Sequence, residues 1–257
     1  MIRLSSTLAS SCLATCFATC LLLPGAAVAE ETPPATQVFL CNFLDGKDMD
    51  DVDEATEFFN KQIEKIDSAD LKAYQAFVWE PYVGRTDYDF LWFGAHANLN
   101  ALARAQSALD GSKEGQAANE EFNDIVKCSS AIALSEVIYD GEGDPVSDGQ
   151  ALIESYVCQL REGKTVDDAR AVVKDWSALM ATLPTTGSMT ALMRVPLIAN
   201  TPTEIAYVVV HDDLEQFGQR ITAYQNAGGR ELDSRFNKVH NCESGLWTGR
   251  QVVPAQE

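Results

Sequence analysis

Two of the three histidines in this sequence occupy matching positions that could support acid–base or ligand-binding chemistry. His96 ends the stretch FLWFGAH and His211 ends the stretch IAYVVVH. Trp92 and Tyr207 each stand four residues earlier, so in a strand each ring shares a face with the following imidazole. We predict that Trp92, His96, Tyr207 and His211 line a ligand pocket between sheet and helix in each half. The alternative is that each histidine is a hydrogen-bonded core residue or begins the next helix.

The remaining candidate motifs give no prediction of a catalytic residue or a metal site. His240 has no histidine counterpart elsewhere in the chain, and we predict that it lies on the surface. The acidic run after Asp140 lacks the glycine and the final glutamate of an EF-hand loop, and the sequence contains no GxSxG, HExxH or P-loop motif. The catalytic residues are therefore unknown at this stage, and we predict no metal.

The first 29 residues have the pattern of a secretory signal peptide. Arg3 precedes an apolar run from Cys12 to Leu23, and the small residues Ala27-Val28-Ala29 form a cleavage site. A lipoprotein signal at Cys20 is the weaker alternative, because the apolar run continues beyond that cysteine. We predict cleavage after Ala29, a periplasmic or secreted protein, and no membrane attachment after cleavage, since no later stretch approaches the roughly 18 apolar residues of a membrane span.

A repeated pattern indicates that the chain is a tandem duplication. The segment VFLCNFLDGKDMDD, which begins at Val38, resembles YVCQLREGKTVDD, which begins at Tyr156, and five identities recur at a constant spacing of 117 residues. The first of them aligns Cys41 with Cys158. We predict a first repeat over residues 30–139, a linker over residues 140–150 and a second repeat over residues 151–257.

The cysteine count predicts two disulfides. Signal cleavage removes three of the seven cysteines, and an even number in an exported chain is typical of disulfide bonding. Matching Phe-Asn segments precede Cys128 and Cys242, so the pairing that repeats is Cys41–Cys128 and Cys158–Cys242. A zinc or redox site would need more closely spaced cysteines.

Each repeat has the order strand, helix, strand, strand, helix, strand, which is the ferredoxin-like arrangement. The first repeat has predicted strands over residues 37–44, 72–83, 88–96 and 128–138, and the second has them over 188–198, 203–211 and 242–253 after an initial strand at Cys158. The first and last strands of this fold are antiparallel neighbours, which brings the paired cysteines together. Residues on both faces of the third strand are apolar, so we predict an α+β protein in which two ferredoxin-like (βαββαβ) repeats pack sheet to sheet.

This arrangement resembles the dimeric α/β-barrel superfamily, which includes antibiotic-biosynthesis-type monooxygenases, haem-degrading monooxygenases and chlorite-dismutase-like proteins. The resemblance implies a fused dimeric α/β barrel. At the end of the third strand the monooxygenase members carry a tryptophan that leads into a helix with a histidine. Here His96 and His211 stand near the tryptophan position, and Ala103-Arg104 and Gly218-Gln219 stand where the helix histidine would be. We therefore transfer no catalytic role and predict no cofactor.

Charge limits the classes of partner. The chain has 19 Lys and Arg against 38 Asp and Glu, for a net charge of −19, which repels nucleic acid and anionic lipid. We predict an exported, disulfide-stabilised protein that binds a small apolar or aromatic ligand or another partner, and that is a monomeric pseudo-dimer. The alternative is a cofactor-independent monooxygenase-like enzyme that acts on a small aromatic molecule.

Overall fold

The computed structural model describes residues 32–256, apart from 85–86, 142, 144, 146–148, 185–186 and 200–201. The predicted signal peptide lies outside the described residues. Among those described, no helix combines the length and the apolar character needed to cross a membrane.

The described residues form eight strands and seven helices. The first half contains β1 Ala35–Phe43, α1 Met49–Ile63, α2 Ala69–Lys72, β2 Gln75–Gly84, β3 Phe90–His96, α3 Leu99–Asp110, α4 Lys113–Asn123 and β4 Val126–Asp140. The second half contains β5 Gln150–Leu160, α5 Val166–Met180, β6 Met189–Ile198, β7 Ile205–His211, α6 Leu214–Asn226, α7 Gly229–Val239 and β8 His240–Val253. The predicted order of strands and helices is present in both halves.

The principal difference from the predicted elements is α2. The sequence pattern predicts a strand from residue 72, but residues 69–72 form a short helix because the hydroxyl of Ser68 caps it by accepting a hydrogen bond from Leu71 N. The first helix of each half begins at a capping box, as its carboxylates and its Thr or Asp cap predict. Asp48 pairs with Asp51 in α1, and Thr165 pairs with Asp168 in α5.

The eight strands form one closed antiparallel barrel in the order β1-β3-β2-β8-β5-β7-β6-β4. The barrel that the resemblance implied is therefore present, and the halves join through backbone hydrogen bonds along both edges, β2 with β8 and β4 with β6. This pairing satisfies the edge groups that two separate sheets would leave open. Register shifts adjoin Pro81 in β2 and Pro196 in β6, because proline has no N–H to donate to the neighbouring strand and is found at bulges.

Both predicted disulfides are present. Cys41 in β1 lies opposite Cys128 in β4, and Cys158 in β5 lies opposite Cys242 in β8. Each bridge therefore links the first and last strands of its own half. Two disulfides are typical of a protein that matures in an oxidising compartment.

The apolar residues form three principal clusters, because both faces of the barrel wall are covered. One lies between the first-half strands and their helices, and a second lies between the second-half strands and theirs. A third lies inside the barrel and includes Trp79, Leu91, Phe93, Ile153 and Trp247. Alternation along each strand sends successive side chains to the outer and inner clusters.

Candidate functional site

A cavity of about 450 Å³ lies between the first-half strands and their helices. We call it the first-half pocket. Two of the predicted site residues, Trp92 and His96, line it from β3. Aromatic side chains dominate its walls, and polar residues join them nearer the opening. The aromatic residues are Phe39, Phe59, Tyr74, Phe90, Trp92 and Phe122, and the polar ones are Gln37, His96, Gln106, Asn119, Asn123 and Ser130.

Trp92 and His96 face the same pocket because they lie on one face of β3, with Gly94 between them. A Cβ at Gly94 would come within 2.7 Å of the Tyr74 ring, so the absence of a side chain there leaves room for that ring. Tyr74 then accepts a hydrogen bond of 2.9 Å from Trp92 Nε1 and lies against the His96 ring, with 5.0 Å between centroids. One glycine thus allows the three rings to assemble.

The imidazole of His96 is held in its neutral form. Burial lowers the pKa of His96 to about 4, with the nearby Asp70 carboxylate acting in the opposite direction. Its Nδ1 is buried and makes no hydrogen bond within the described part of the chain. Burial also raises the pKa of Tyr74 to about 12. At neutral pH the pocket therefore presents an uncharged imidazole and an uncharged phenol.

Polar side chains surround His211, the corresponding histidine of the second half. His211 is buried, its Nδ1 lies 3.3 Å from an Arg220 nitrogen, and its Nε2 lies 3.8 Å from a Glu154 oxygen. Arg220 also donates to the carbonyl of Gly187 at 2.6 Å, and the Tyr156 hydroxyl donates to Glu154. His211 is therefore part of a buried polar network rather than of the first-half pocket.

The first half has a pocket where the second half is filled, because α3 and α6 carry side chains of different size at equivalent positions. Counted from their N-caps, α3 and α6 place Ala105 and Arg220 at one equivalent position, and Leu109 and Tyr224 at another. Ala105 and Leu109 line the first-half pocket. Arg220 and Tyr224 are buried in the second half, and the Tyr224 hydroxyl donates to Asp233 at 2.7 Å. Larger side chains thus occupy the second half where smaller ones leave space in the first.

The prediction that His240 lies on the surface was wrong. His240 is only 1% exposed, because it starts β8 on the face covered by α7, and its Nε2 lies 2.9 Å from the Tyr207 hydroxyl. Burial lowers its pKa, as does the charge of Arg161. Tyr207 therefore pairs with a histidine that sequence analysis set aside, and lies away from Trp92 and His96.

His240 also belongs to a group with metal-ligand geometry. One ligand atom each of Cys158, His240 and Cys242 lies within 4.8 Å of the others. Both cysteine sulfurs form the second-half disulfide, so neither can act as a thiolate ligand. We assign no metal site to this group.

Several residues of the first-half pocket were not found from the sequence. Tyr74 precedes β2 and meets Trp92 only in the folded protein, and the helix residue Ala105 carries no chemical signal of its own. The glycine at position 94 within a strand is the one available signal, since glycine there often indicates close approach of another group.

Comparison with solved structures shows the same architecture at low sequence identity. A monooxygenase-assigned protein from Fusobacterium nucleatum subsp. nucleatum aligns with a TM-score of 0.56 at 8% identity, over 86% of this chain and 93% of that one. A second protein assigned as a monooxygenase, from Lactobacillus acidophilus, aligns with a TM-score of 0.55 at 12% identity, over 87% of this chain and 97% of that one. An anthrone oxidase-like protein aligns with a TM-score of 0.51 at 14% identity, over 88% of this chain and 96% of that one.

The chain has the dimeric α/β-barrel fold. Chlorite dismutases and a dye-decolorizing peroxidase also share this architecture. No protein-family model and no curated protein matches the sequence. The comparisons therefore support the fold that the sequence resemblance implied.

Haem is the cofactor to test, because the superfamily that the sequence resembles includes haem-degrading and chlorite-dismutase-like proteins. Haem carries two propionate groups, yet no lysine or arginine is found among the described residues that line the first-half pocket. Cys41 and Cys128 of the lining are joined in a disulfide, and Tyr74 is engaged by Trp92, so His96 is the one residue of the described lining that could ligate the iron. No cation of the described lining would then hold the propionates. The residues of this pocket do not fit haem, and we derive no step through it.

Proposed function

We propose that the chain binds a small, uncharged aromatic molecule in the first-half pocket. The observation that carries this proposal is the pocket itself: about 450 Å³ of space walled by six aromatic rings, with one neutral imidazole on its wall. Pockets of this size and composition are typical of small-molecule sites. The absence of charged side chains from its described lining favours a neutral ligand over an anion or a cation.

The rings and the imidazole have separate roles in this proposal. The rings contact the flat faces of the ligand, and their preferred edge-to-face geometry selects aromatic over flexible aliphatic molecules. The unbonded Nδ1 of His96 provides one hydrogen bond, so a phenol-type hydroxyl or a carbonyl on the ligand would satisfy a buried polar atom. We expect affinity to fall when either feature is removed.

Filling the pocket from α3 tests the proposal. Ala105 is fully buried against the pocket, whereas Ala103 on the same helix is exposed. With 1-naphthol as the probe in isothermal titration calorimetry, Ala105→Leu should weaken binding at least tenfold, and Ala103→Leu should leave it unchanged. Equal affinity in the two variants would reject this pocket as the binding site.

An enzymatic function is the second candidate, supported by the structural neighbours that are assigned as monooxygenases or are anthrone oxidase-like. In this proposal the substrate is an electron-rich aromatic molecule, and His96 accepts a proton from it. A CH₂ group of the substrate loses two hydrogens, one oxygen atom of O₂ forms its new carbonyl, and the other leaves as water. A neutral imidazole is the form that can accept the proton.

Oxygen consumption distinguishes the enzyme from the binding protein. With anthrone as the substrate, an enzyme should consume one O₂ per product. His96→Ala should lower the rate at least a hundredfold, in the usual range for removal of a general base. His211→Ala, outside the pocket, should retain the wild-type rate. Binding of anthrone without oxygen uptake would favour the binding protein.

We also propose that the protein is exported after cleavage at Ala29 and that its two halves arose by duplication. The signal pattern and the two disulfides support export. The repeated Cys and Gly-Lys spacing and the matching element order support duplication. Mass spectrometry of the mature protein should find Glu30 at its amino terminus, and sedimentation should find a monomer.

A further inference from the structure

An arginine lies inside the barrel, on the opposite side of the barrel wall from the first-half pocket. Arg194 projects inward from β6 and is only 8% exposed. Its guanidinium carbon lies 4.6 Å from the centre of the Phe93 ring and 5.5 Å from that of Trp79. These two rings lie 3.6 Å apart, so they form one aromatic surface beneath the cation.

The guanidinium has no counter-charge in the described part of the chain. No carboxylate of the described residues forms a salt bridge with Arg194, and its Nε is buried without a hydrogen-bond partner among them. Burial alone lowers the pKa of Arg194 to about 10, so the group still carries its proton at neutral pH. An unpaired buried charge is strongly unfavourable, and ring contacts offset only part of that cost.

Arg194 faces a cavity of about 530 Å³ that is otherwise mainly apolar in its inner part. The apolar walls include Val38, Leu40, Leu91, Val208 and Trp247. The Ser155 hydroxyl on the wall already accepts a hydrogen bond of 2.8 Å from Trp247 Nε1.

Two acidic residues also line this cavity, but at its exposed part. Asp87 and Glu243 are both exposed, where water screens their charges. The buried positive charge is therefore at a different place from the acidic side chains, and an anion beside Arg194 would be separated from them by the apolar walls.

We propose that the barrel interior binds an organic monocarboxylate, whose carboxylate pairs with Arg194 and whose apolar body fills the cavity. The planar guanidinium matches a carboxylate in a two-pronged hydrogen-bonded pair, and no described group already occupies its donors. Arg194 is the cation of the described lining, and it balances one negative charge. Apolar walls favour an acid with a hydrocarbon body over phosphate or sulfate. This site is independent of the neutral aromatic ligand proposed for the first-half pocket.

Octanoate and its uncharged analogue octanamide are suitable probes, because they differ only in the group that would meet Arg194. In calorimetric titrations of the intact protein, octanoate should bind saturably and at least tenfold more tightly than octanamide or sulfate. Equal affinities for octanoate and octanamide would overturn the proposal, and so would sulfate binding as tight as octanoate.

Variants locate the site. Arg194→Met should abolish the preference for octanoate over octanamide, and Arg194→Lys should weaken octanoate binding by a smaller factor because it keeps the charge but loses the planar fork. Ala133→Leu, on the buried cavity wall, provides a second test if Arg194→Met does not fold, and it should also weaken octanoate binding. Unchanged octanoate affinity in the Arg194 variants or in Ala133→Leu would overturn the proposal.

The first-half pocket supplies the control. His96→Ala should retain full octanoate affinity, because His96 lies on the outer face of the barrel wall. If His96→Ala lost octanoate binding while Arg194→Met retained it, octanoate would bind in the first-half pocket rather than in the barrel interior, and the inference would be rejected. Failure with octanoate would leave 1-naphthol binding to the first-half pocket unaffected.

Discussion

At the scale of single residues, burial lowers the pKa of both His96 and Arg194, yet the two groups differ in charge at neutral pH. Desolvation disfavours the charged form of each, but only the histidine responds by losing its charge at neutral pH. His96 can therefore remain in an aromatic pocket without a counter-ion. Arg194 keeps its proton, and its position inside the barrel is what suggests a second, anionic ligand.

The lowered pKa of His96 predicts a pH-dependent stability. The pKa of His96 is about 6.5 in the unfolded chain and about 4 in the folded protein. Between these pH values the unfolded state therefore binds a proton at His96 that the folded state does not. The free energy of unfolding should therefore fall as the pH drops from 6.5 to 4. In urea titrations His96→Phe should show a shallower loss over this interval and a constant difference from wild type above pH 7.

The buried His240 also has a lowered pKa and contributes in the same direction, so the comparison depends on the difference between the wild type and His96→Phe. Parallel curves for the two proteins from pH 7 to pH 4 would contradict the assignment of a neutral His96.

The hydrogen bond between Trp92 and Tyr74 predicts a measurable coupling. Tyr74→Phe leaves the buried indole N–H without an acceptor and should cost about 1–3 kcal/mol of stability. Trp92→Phe removes the donor, so adding Tyr74→Phe to it should cost less than in the wild type. A double-mutant cycle by urea denaturation measures the difference, and strict additivity would show that the bond contributes nothing.

At the scale of elements, the two disulfides tie the first and last strands of each half at the same register position. The linked cysteines are separated by 87 and 84 residues, and loop-closure entropy grows only with the logarithm of length. The two bridges should therefore stabilise the protein to a similar extent.

Removing either bridge tests this equivalence. Cys41→Ala/Cys128→Ala and Cys158→Ala/Cys242→Ala should each lower the free energy of unfolding by about 2–5 kcal/mol, measured by guanidinium denaturation without reductant. The wild-type protein with added reductant should lose about as much free energy of unfolding as the two pairs of substitutions together. A bridge whose removal has no effect would indicate that its half is held by other contacts.

At the scale of the whole molecule, closure of the barrel joins the halves through two pairs of strands. Gly249 of β8 lies at one of these seams, opposite Trp79 of β2. A Cβ at Gly249 would approach Ile153 to 2.2 Å and Trp79 to 3.1 Å, so a side chain cannot fit without movement of the interior. The seam is therefore close-packed on its inner face.

Because the halves share these seams, we expect a single unfolding transition, with midpoints by circular dichroism and by tryptophan fluorescence that coincide. Gly249→Val should destabilise by about 1–3 kcal/mol or more through overpacking, while keeping one transition. Thr248→Val, at the neighbouring exposed position, should change stability by less than about 0.5 kcal/mol. Two separate transitions in the wild type would show that the halves unfold independently.

The sequence by itself determined the order of strands and helices, the two disulfides, and the helix-facing position of Trp92 and His96. These features depend on local patterns: alternation along a strand, capping residues and the spacing of cysteines. Only the tertiary structure decided which strand edges pair to close the barrel, that Tyr74 meets Trp92, and that His240 is buried against Tyr207. It also decided that Arg194 lies on Trp79 and Phe93. A cavity is the volume that side chains from several elements leave unfilled, and no single stretch of sequence specifies it.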